Sequence, residues 1–321
     1  MTVCRNDLAF LFPGQGSQSV GMLAELSEQH SLIRDCFREA GDGADVDLWR
    51  LSQAGPEEML NRTEYTQPAL LAASVAMWRL WNSVDGAKPA QLAGHSLGEY
   101  SALVAAGALS LHDAARIVRV RGQLMQAASP EGEGAMAAVI GTEDAVVEQV
   151  CADVSGSADV SGSHVVVPAN YNSPGQIVIG GHADAVDRAL AALAEQGVRK
   201  AVKLAVSVPS HTPLMREAAN QLGEALGGVD WDLPKIPVTQ NVDAVVHQSP
   251  EAIRDALVRQ LYLPVRWTQC VQAMAGNGAT HFVECGPGKV LSGLMRRIDK
   301  SLKAQPLGSL SDFETAHEAL V

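Results

Sequence analysis

The sequence predicts an α/β protein built on a mainly parallel sheet, with a small ferredoxin-like βαββαβ unit inserted into it. Two observations lead there. Over most of the 321 residues short apolar runs alternate with segments of helical period, as when strands cross over through helices into a sheet covered on both faces. Between Gly134 and Ala205 the rhythm changes to strand, helix, strand, strand, helix, strand, the ferredoxin-like order. A chain this long can be one large domain or a large domain carrying a smaller one. The change of rhythm favours the second layout, with 1–133 and 206–321 as the core and 134–205 as the small subdomain.

The elements follow in order. Leu8 to Phe12 is a continuous apolar run that Pro13-Gly14 stops at once, and it reads as a buried strand; Val20 to Gln29 then reads as a helix. From Gln67 to Trp81, residues Leu70, Leu71, Ser74, Val75, Trp78 and Trp81 recur at helical spacing. Gln91 to Gly94 is a short strand, Glu99 to Ala106 a helix, and Leu111 to Gln126 another. In the small unit the strands are Ala135 to Ile140, His164 to Pro168, Gln176 to Ile179 and Val198 to Ala205, with helices at Glu143 to Cys151 and Ala183 to Gln196. A loop from Ser207 to Thr212 leads to a helix with Thr212 as its cap and Pro213 in its first position. A strand near Ile236 to Thr239, helices at Glu251 to Leu261 and near Trp267 to Ala275, and a strand at His281 to Glu284 come next. The turn Gly286-Pro287-Gly288 introduces a last helix through Arg297, and His317 falls in a polar tail.

Composition excludes several classes. With 36 acidic against 24 basic residues the net charge is −12, which argues against gripping nucleic-acid phosphates or an anionic membrane. Five scattered cysteines contain no C-x-x-C pair, so neither a disulfide framework nor a zinc site is indicated, and a reducing cytoplasm fits. No stretch approaches the roughly 20 apolar residues that cross a bilayer, and the N-terminal apolar run is too short for a secretory signal. No metal or other cofactor is expected.

The chemistry centres on AGHSLGEYSA, residues 93 to 102. Gly94 and Gly98 flank Ser96 between a strand and a helix, the setting of a nucleophile elbow, in which the hydroxyl stands clear of a tight turn. The N–H of Leu97, at the start of the helix, could then donate to an oxyanion. The alternative is a serine in an ordinary glycine-bounded turn. Among nine histidines, His211 stands out: it ends a strand-side loop just ahead of a helix, at the sheet edge where sites collect. A helix N-terminus would keep its ring neutral and able to take the serine proton; otherwise His211 fills its loop by hydrogen bonding. Arg121 shares a stripe with Ala114, Ile117, Leu124 and Met125, so it faces inward and needs an anion. Either a distant carboxylate supplies it, or a substrate does. Pro13-Gly14-Gln15-Gly16-Ser17 and Gly286-Pro287-Gly288-Lys289 both lack the pattern of a phosphate cradle. The first is a turn at a strand end, with a backbone N–H near Gln15 free to be a second oxyanion donor.

Taken together, the runs FPGQGSQ, GHSLGEYSAL, VRVRGQLMQ, GAMAAVIG, NYNSPGQIVIGG, SVPSH, RQLYLPVRW and GPGKVL resemble the malonyl-CoA:acyl carrier protein transacylase family in content and order, across nearly the whole chain. The resemblance implies an α/β-hydrolase-like core with the inserted ferredoxin-like domain, and a monomer. It makes Ser96 the nucleophile, His211 its base, Arg121 the holder of the malonyl carboxylate, and Gln15 with Leu97 the oxyanion hole. Gln260 is expected to orient His211 through its main-chain carbonyl, and Asn170 is a candidate for lining the acyl site. The implied reaction is ping-pong transfer from malonyl-CoA, with release of CoA, to the phosphopantetheine thiol of acyl carrier protein, for fatty-acid synthesis. An acidic carrier needs a local basic face, for which Arg116, Arg119, Arg199, Lys200, Lys203, Lys289, Arg296 and Arg297 are candidates. The rivals are a transferase serving polyketide assembly or malonate decarboxylation, a serine esterase, and a silent carrier-binding module that has kept the fold.

Overall fold

The structure, a computed structural model, describes residues 4–130, 132–156, 164–206 and 208–320. In chain order its strands are β1 Cys4–Phe12, β2 Lys88–Gly94, β3 Gly134–Ile140, β4 Val166–Ser173, β5 Gln176–His182, β6 Lys200–Lys203, β7 Val238–Thr239, β8 His281–Glu284 and β9 Lys303–Pro306. Among the described residues they form two sheets, one ordered β7-β2-β1-β8-β9 and one ordered β4-β5-β3-β6. Every pairing in the first is parallel, and every pairing in the second is antiparallel.

The central strand β1 explains why the first sheet is covered on both sides. Phe10 and Phe12 turn to one face, where the Phe10 ring makes T-shaped contacts with Trp78 and Trp81 of the helix Thr63–Ser83, ring centroids 5.4 and 5.6 Å apart. Ala9 and Leu11 turn to the other and join Trp267, Val271 and Met274 of the helix Trp267–Gly276. Truncating either aromatic to alanine at such a site costs about 3–5 kcal/mol. The second sheet has its own core. Val147, Val150, Cys151 and Val154 of the helix Asp144–Gly156 pack with Ala185, Val186, Ala189 and Leu193 of the helix Ala183–Glu195 over Ala137, Val139, Ile177 and Ile179.

Several elements depart from the sequence reading. β4 starts later and runs to Ser173, and β6 is only four residues long. The first helix begins at Ala24, because Leu23 takes a left-handed turn (φ 61°). Thr212 does not cap through its side chain: its hydroxyl donates to the Pro209 carbonyl at 2.7 Å, and a short 3-10 turn, Pro213–Met215, precedes the helix Arg216–Gly227. Helices Ser31–Ala44, Leu48–Ala54 and Glu57–Leu60 fill a stretch that had no assignment. The polar tail is β9 and a helix, Leu310–Leu320, whose Phe313, Ala316 and Leu320 are buried. Ser207, part of the expected loop, lies outside the described residues. Among the described residues no helix is long and apolar enough to cross a membrane, and all five cysteines are free thiols.

Candidate active site

β1 and β2 end side by side, and the site forms where the chain leaves them. Ser96 sits between β2 and the helix Gly98–Ala105 in the left-handed region (φ 52°), a conformation costing about 1–3 kcal/mol for a residue with a side chain. Close packing imposes it. A Cβ on Gly98 would overlap the Phe12 carbonyl, and one on Gly94 would overlap the Gly98 backbone. The turn is also tied from both sides: the Ser96 N–H donates to Asn241 Oδ1 at 2.7 Å, while the Ser96 carbonyl accepts from Gln260 Nε2 at 3.0 Å.

His211 reaches the serine from the opposite wall, its Nε2 lying 2.8 Å from Ser96 Oγ. Its Nδ1 is 2.6 Å from the main-chain carbonyl of Gln260. A carbonyl only accepts, so Nδ1 carries the proton and Nε2 faces the hydroxyl as an acceptor. The carbonyl is free because the helix Pro250–Tyr262 stops there: Leu263 is extended ahead of Pro264, as a residue before proline prefers, and the last carbonyls of the helix have no partner within it. Leu261, next in line, accepts from the His211 N–H at 3.0 Å.

Burial, and then the Arg121 charge, pull the His211 pKa down to about 3, against the Gln260 hydrogen bond. This corrects the expected cause. The ring lies at a helix C-terminus, which by itself favours imidazolium, and it stays neutral because it is dry and beside a cation.

Arg121 is fully buried. Its Nη1 donates to Gln67 Oε1 at 2.8 Å, and its Nη2 to Gln260 Oε1 at 3.1 Å and to Ser96 Oγ at 3.3 Å. Nε has no partner. Among the described residues no carboxylate forms an ion pair with it, and of the two sources of an anion left open by the sequence, a contacting internal carboxylate is not found.

Leu97 follows Ser96 in the elbow, and Gln15 lies in the loop that follows β1. Gly14 packs so tightly on the elbow that a Cβ there would lie 2.6 Å from the His95 carbonyl. Among the described residues neither the Leu97 nor the Gln15 main-chain N–H has a hydrogen-bond partner within the chain, while the Gln15 side chain is held by Thr63 Oγ1 at 3.0 Å. Asn170 is buried in β4 and bridges to Val265, but it makes no hydrogen bond to Ser96, His211 or Arg121. Its neighbour two residues on, Asn172, approaches the elbow instead, with Oδ1 2.8 Å from His95 Nε2.

Sequence reasoning missed Gln67, Glu99, Asn172, Asn241 and the Gln260 side chain. Glu99 lay in the quoted motif itself, and Gln67 stood out as an amide at the head of an apolar stripe. The others depend on segments far apart in the chain. Of the basic residues considered for docking, Arg116, Arg119, Lys203 and Lys289 are paired with Asp113, Glu64, Asp187 and Asp312. Among the described residues Arg199, Lys200 and Arg296 are exposed and make no ion pair. No cluster of three or more metal-ligating side chains is found there either.

The acyl transferase domain family matches residues 9–313. A malonyl CoA-acyl carrier protein transacylase from Escherichia coli K12 is 50% identical over 310 residues, covering 97% of this chain and 98% of that one. Among solved structures, malonyl-CoA:acyl carrier protein transacylase from Xanthomonas oryzae pv. oryzae superimposes with a TM-score of 0.97 at 70% identity, over 99% of this chain and 100% of its own. A malonyl-transacylase in complex with the holo acyl-carrier protein of a type II polyketide synthase is similar with a TM-score of 0.94 at 48% identity, over 98% and 99%.

Proposed function

The chain belongs to the acyl transferase domain family, alongside the malonyl-CoA:acyl carrier protein transacylases, and from that premise we infer how it moves malonyl from malonyl-CoA to acyl carrier protein: by ping-pong transfer through a malonyl ester of Ser96. Neutral His211 takes the hydroxyl proton at Nε2 as Ser96 Oγ attacks the thioester carbonyl. The Leu97 and Gln15 N–H groups hold the oxyanion, each donor being worth about 3 kcal/mol. As the tetrahedral intermediate collapses, the C–S bond breaks, and CoA leaves as a thiol with the proton from His211. The phosphopantetheine thiol of the carrier then gives its proton to His211 and attacks the ester. Ser96 Oγ recovers that proton as malonyl passes to the new thioester. The Gln260 carbonyl steadies the ring throughout.

The observation that carries this reading is Arg121, a buried guanidinium that pairs with no carboxylate among the described residues, 3.3 Å from the attacking oxygen. A malonyl carboxylate bound there would supply the missing anion through a charge-assisted pair and hold the carbonyl over Ser96. An esterase has no use for such a group, and the late histidine it would need as base, His317, packs on Trp81 at 5.9 Å. The reaction uses no cofactor.

A carrier of fatty-acid synthesis is the favoured acceptor. The likeness to a polyketide-synthase transacylase bound to its carrier makes a polyketide carrier the second reading. We read residues 1–133 and 206–321 as an α/β-hydrolase-like core and 134–205 as a ferredoxin-like subdomain, a reading supported by the β4-β5-β3-β6 order. The free thiols fit a reducing cytoplasm, and we read the enzyme as a monomer. Intact-mass measurement after mixing with malonyl-CoA should find a malonyl adduct that Ser96→Ala lacks and that added holo carrier discharges. Malonate release without discharge to any carrier would point to a hydrolase.

A further inference from the structure

Glu99 is fully buried three residues beyond the nucleophile, and among the described residues no cation pairs with it. Its Oε1 accepts from Gln240 Nε2 at 3.0 Å, and its Oε2 accepts from the Asn241 N–H at 2.8 Å and from Gln260 Nε2 at 3.1 Å. Three donors face the carboxyl from two segments, and among the described residues no acceptor is hydrogen-bonded to it. The surroundings suit a carboxylate, even though burial pushes the group up to about 7.

What the carboxylate holds is the orientation of one amide. Gln260 Nε2 is committed to Glu99, to the Ser96 carbonyl and, at 3.3 Å, to Asn241 Oδ1, so Oε1 must point away from them, toward Arg121 Nη2. Turned over, the amide would set its NH2 against the guanidinium and its oxygen against the Glu99 carboxylate, the Ser96 carbonyl and Asn241 Oδ1, losing all four contacts. Asn241 carries a second branch, with its N–H on Glu99 and its side chain on the Ser96 N–H and the Gly94 carbonyl.

We propose that Glu99 is the positioning residue behind malonyl selectivity: through the Gln260 amide it fixes Arg121 Nη2 beside Ser96 Oγ while leaving the guanidinium free to take the carboxylate of the acyl group. The arrangement solves a specific problem. A carboxylate in contact with Arg121 would steady it but occupy the fork that the substrate needs. Set one neutral amide away, Glu99 orients the cation and does not compete for it. This rests on the reading of Arg121 as the holder of the malonyl carboxylate.

The test compares loading of Ser96 from malonyl-CoA and from acetyl-CoA in wild type, Glu99→Gln, Glu99→Asp, Gln260→Ala and Arg121→Ala. Glu99→Gln keeps the shape but brings an NH2 against a wall of donors. Its malonyl kcat/KM should fall on the order of tenfold or more, with acetyl loading falling no more than about threefold. Glu99→Asp, which keeps the charge, should recover part of the malonyl-to-acetyl ratio, and Gln260→Ala, which breaks the link one step later, should lose it. If Glu99→Gln lowers both acyl groups equally or neither, the proposal falls. It also falls if Gln260→Ala keeps wild-type selectivity, a measurement that stands even where a Glu99 variant fails to fold. Arg121→Ala separates the underlying reading: should it lower malonyl and acetyl loading together, the carboxylate role of Arg121 is lost whatever Glu99 does.

Discussion

Arg121 Nη2 stands 3.3 Å from Ser96 Oγ, and the guanidinium, which lies over the Tyr100 ring, is in ion-pair contact with no carboxylate among the described residues. A charge buried without a counter-ion is costly to the fold. Arg121→Met should therefore cost the free enzyme little. Removing the desolvated charge gains about 1–4 kcal/mol, while leaving the Gln67 and Gln260 oxygens without this donor costs about 1–3 kcal/mol each. The two effects largely offset, so the net expectation is a loss of no more than about 2 kcal/mol, with malonyl loading severely reduced. Urea unfolding at pH 7.5 measures it, and a loss of more than about 3 kcal/mol would make Arg121 a structural tie instead.

Much of this site was legible from residue types alone, because Ser96, His211 and Arg121 each break a local rule. Ser96 lies between two glycines at a strand-to-helix junction, His211 interrupts a loop rich in small residues, and Arg121 occupies an apolar stripe. Glu99, Gln67 and Asn241 break no such rule. A glutamate in the first turn of a helix is ordinary, and only the approach of Gln240, Asn241 and Gln260 from more than 140 residues away makes it unusual. The fold was legible to a similar extent. Continuous apolar strands such as β1 and β8 were found, whereas the helix Leu310–Leu320 was not, since its apolar residues Phe313, Ala316 and Leu320 are diluted by polar ones and gain meaning only against Trp81.

The elbow should tolerate no side chain at Gly98. A methyl group there meets the Phe12 carbonyl, and main chain at the end of a central strand cannot move aside as a flexible side chain could. Gly98→Ala is expected to cost about 3 kcal/mol or more, at the upper end of single substitutions, and to remove acyl loading in whatever fraction folds. Wild-type thermal stability with normal loading would mean that the turn is far more plastic than its packing implies.

His211 links catalysis to acid stability, and the sign follows from its environment. In the fold its pKa is depressed from the ordinary 6.5 to about 3, whereas the unfolded chain takes up a proton as the pH falls through 6.5. Between these limits the unfolded state binds more protons, so the stabilising contribution is fully present above about pH 6.5 and is lost progressively on acidification. At pH 5 the loss reaches about 2 kcal/mol, from 1.36 kcal/mol per unit. Other groups titrate over the same range, so the informative quantity is a difference between proteins. His211→Gln keeps a donor for the Gln260 carbonyl but cannot become imidazolium, so its stability should fall by about 2 kcal/mol less than that of wild type between pH 7.5 and pH 5. Equal losses in urea titrations at the two pH values would mean that His211 is hydrated enough to take a proton in place, and the dry, cation-flanked ring that keeps the base neutral would have to be abandoned.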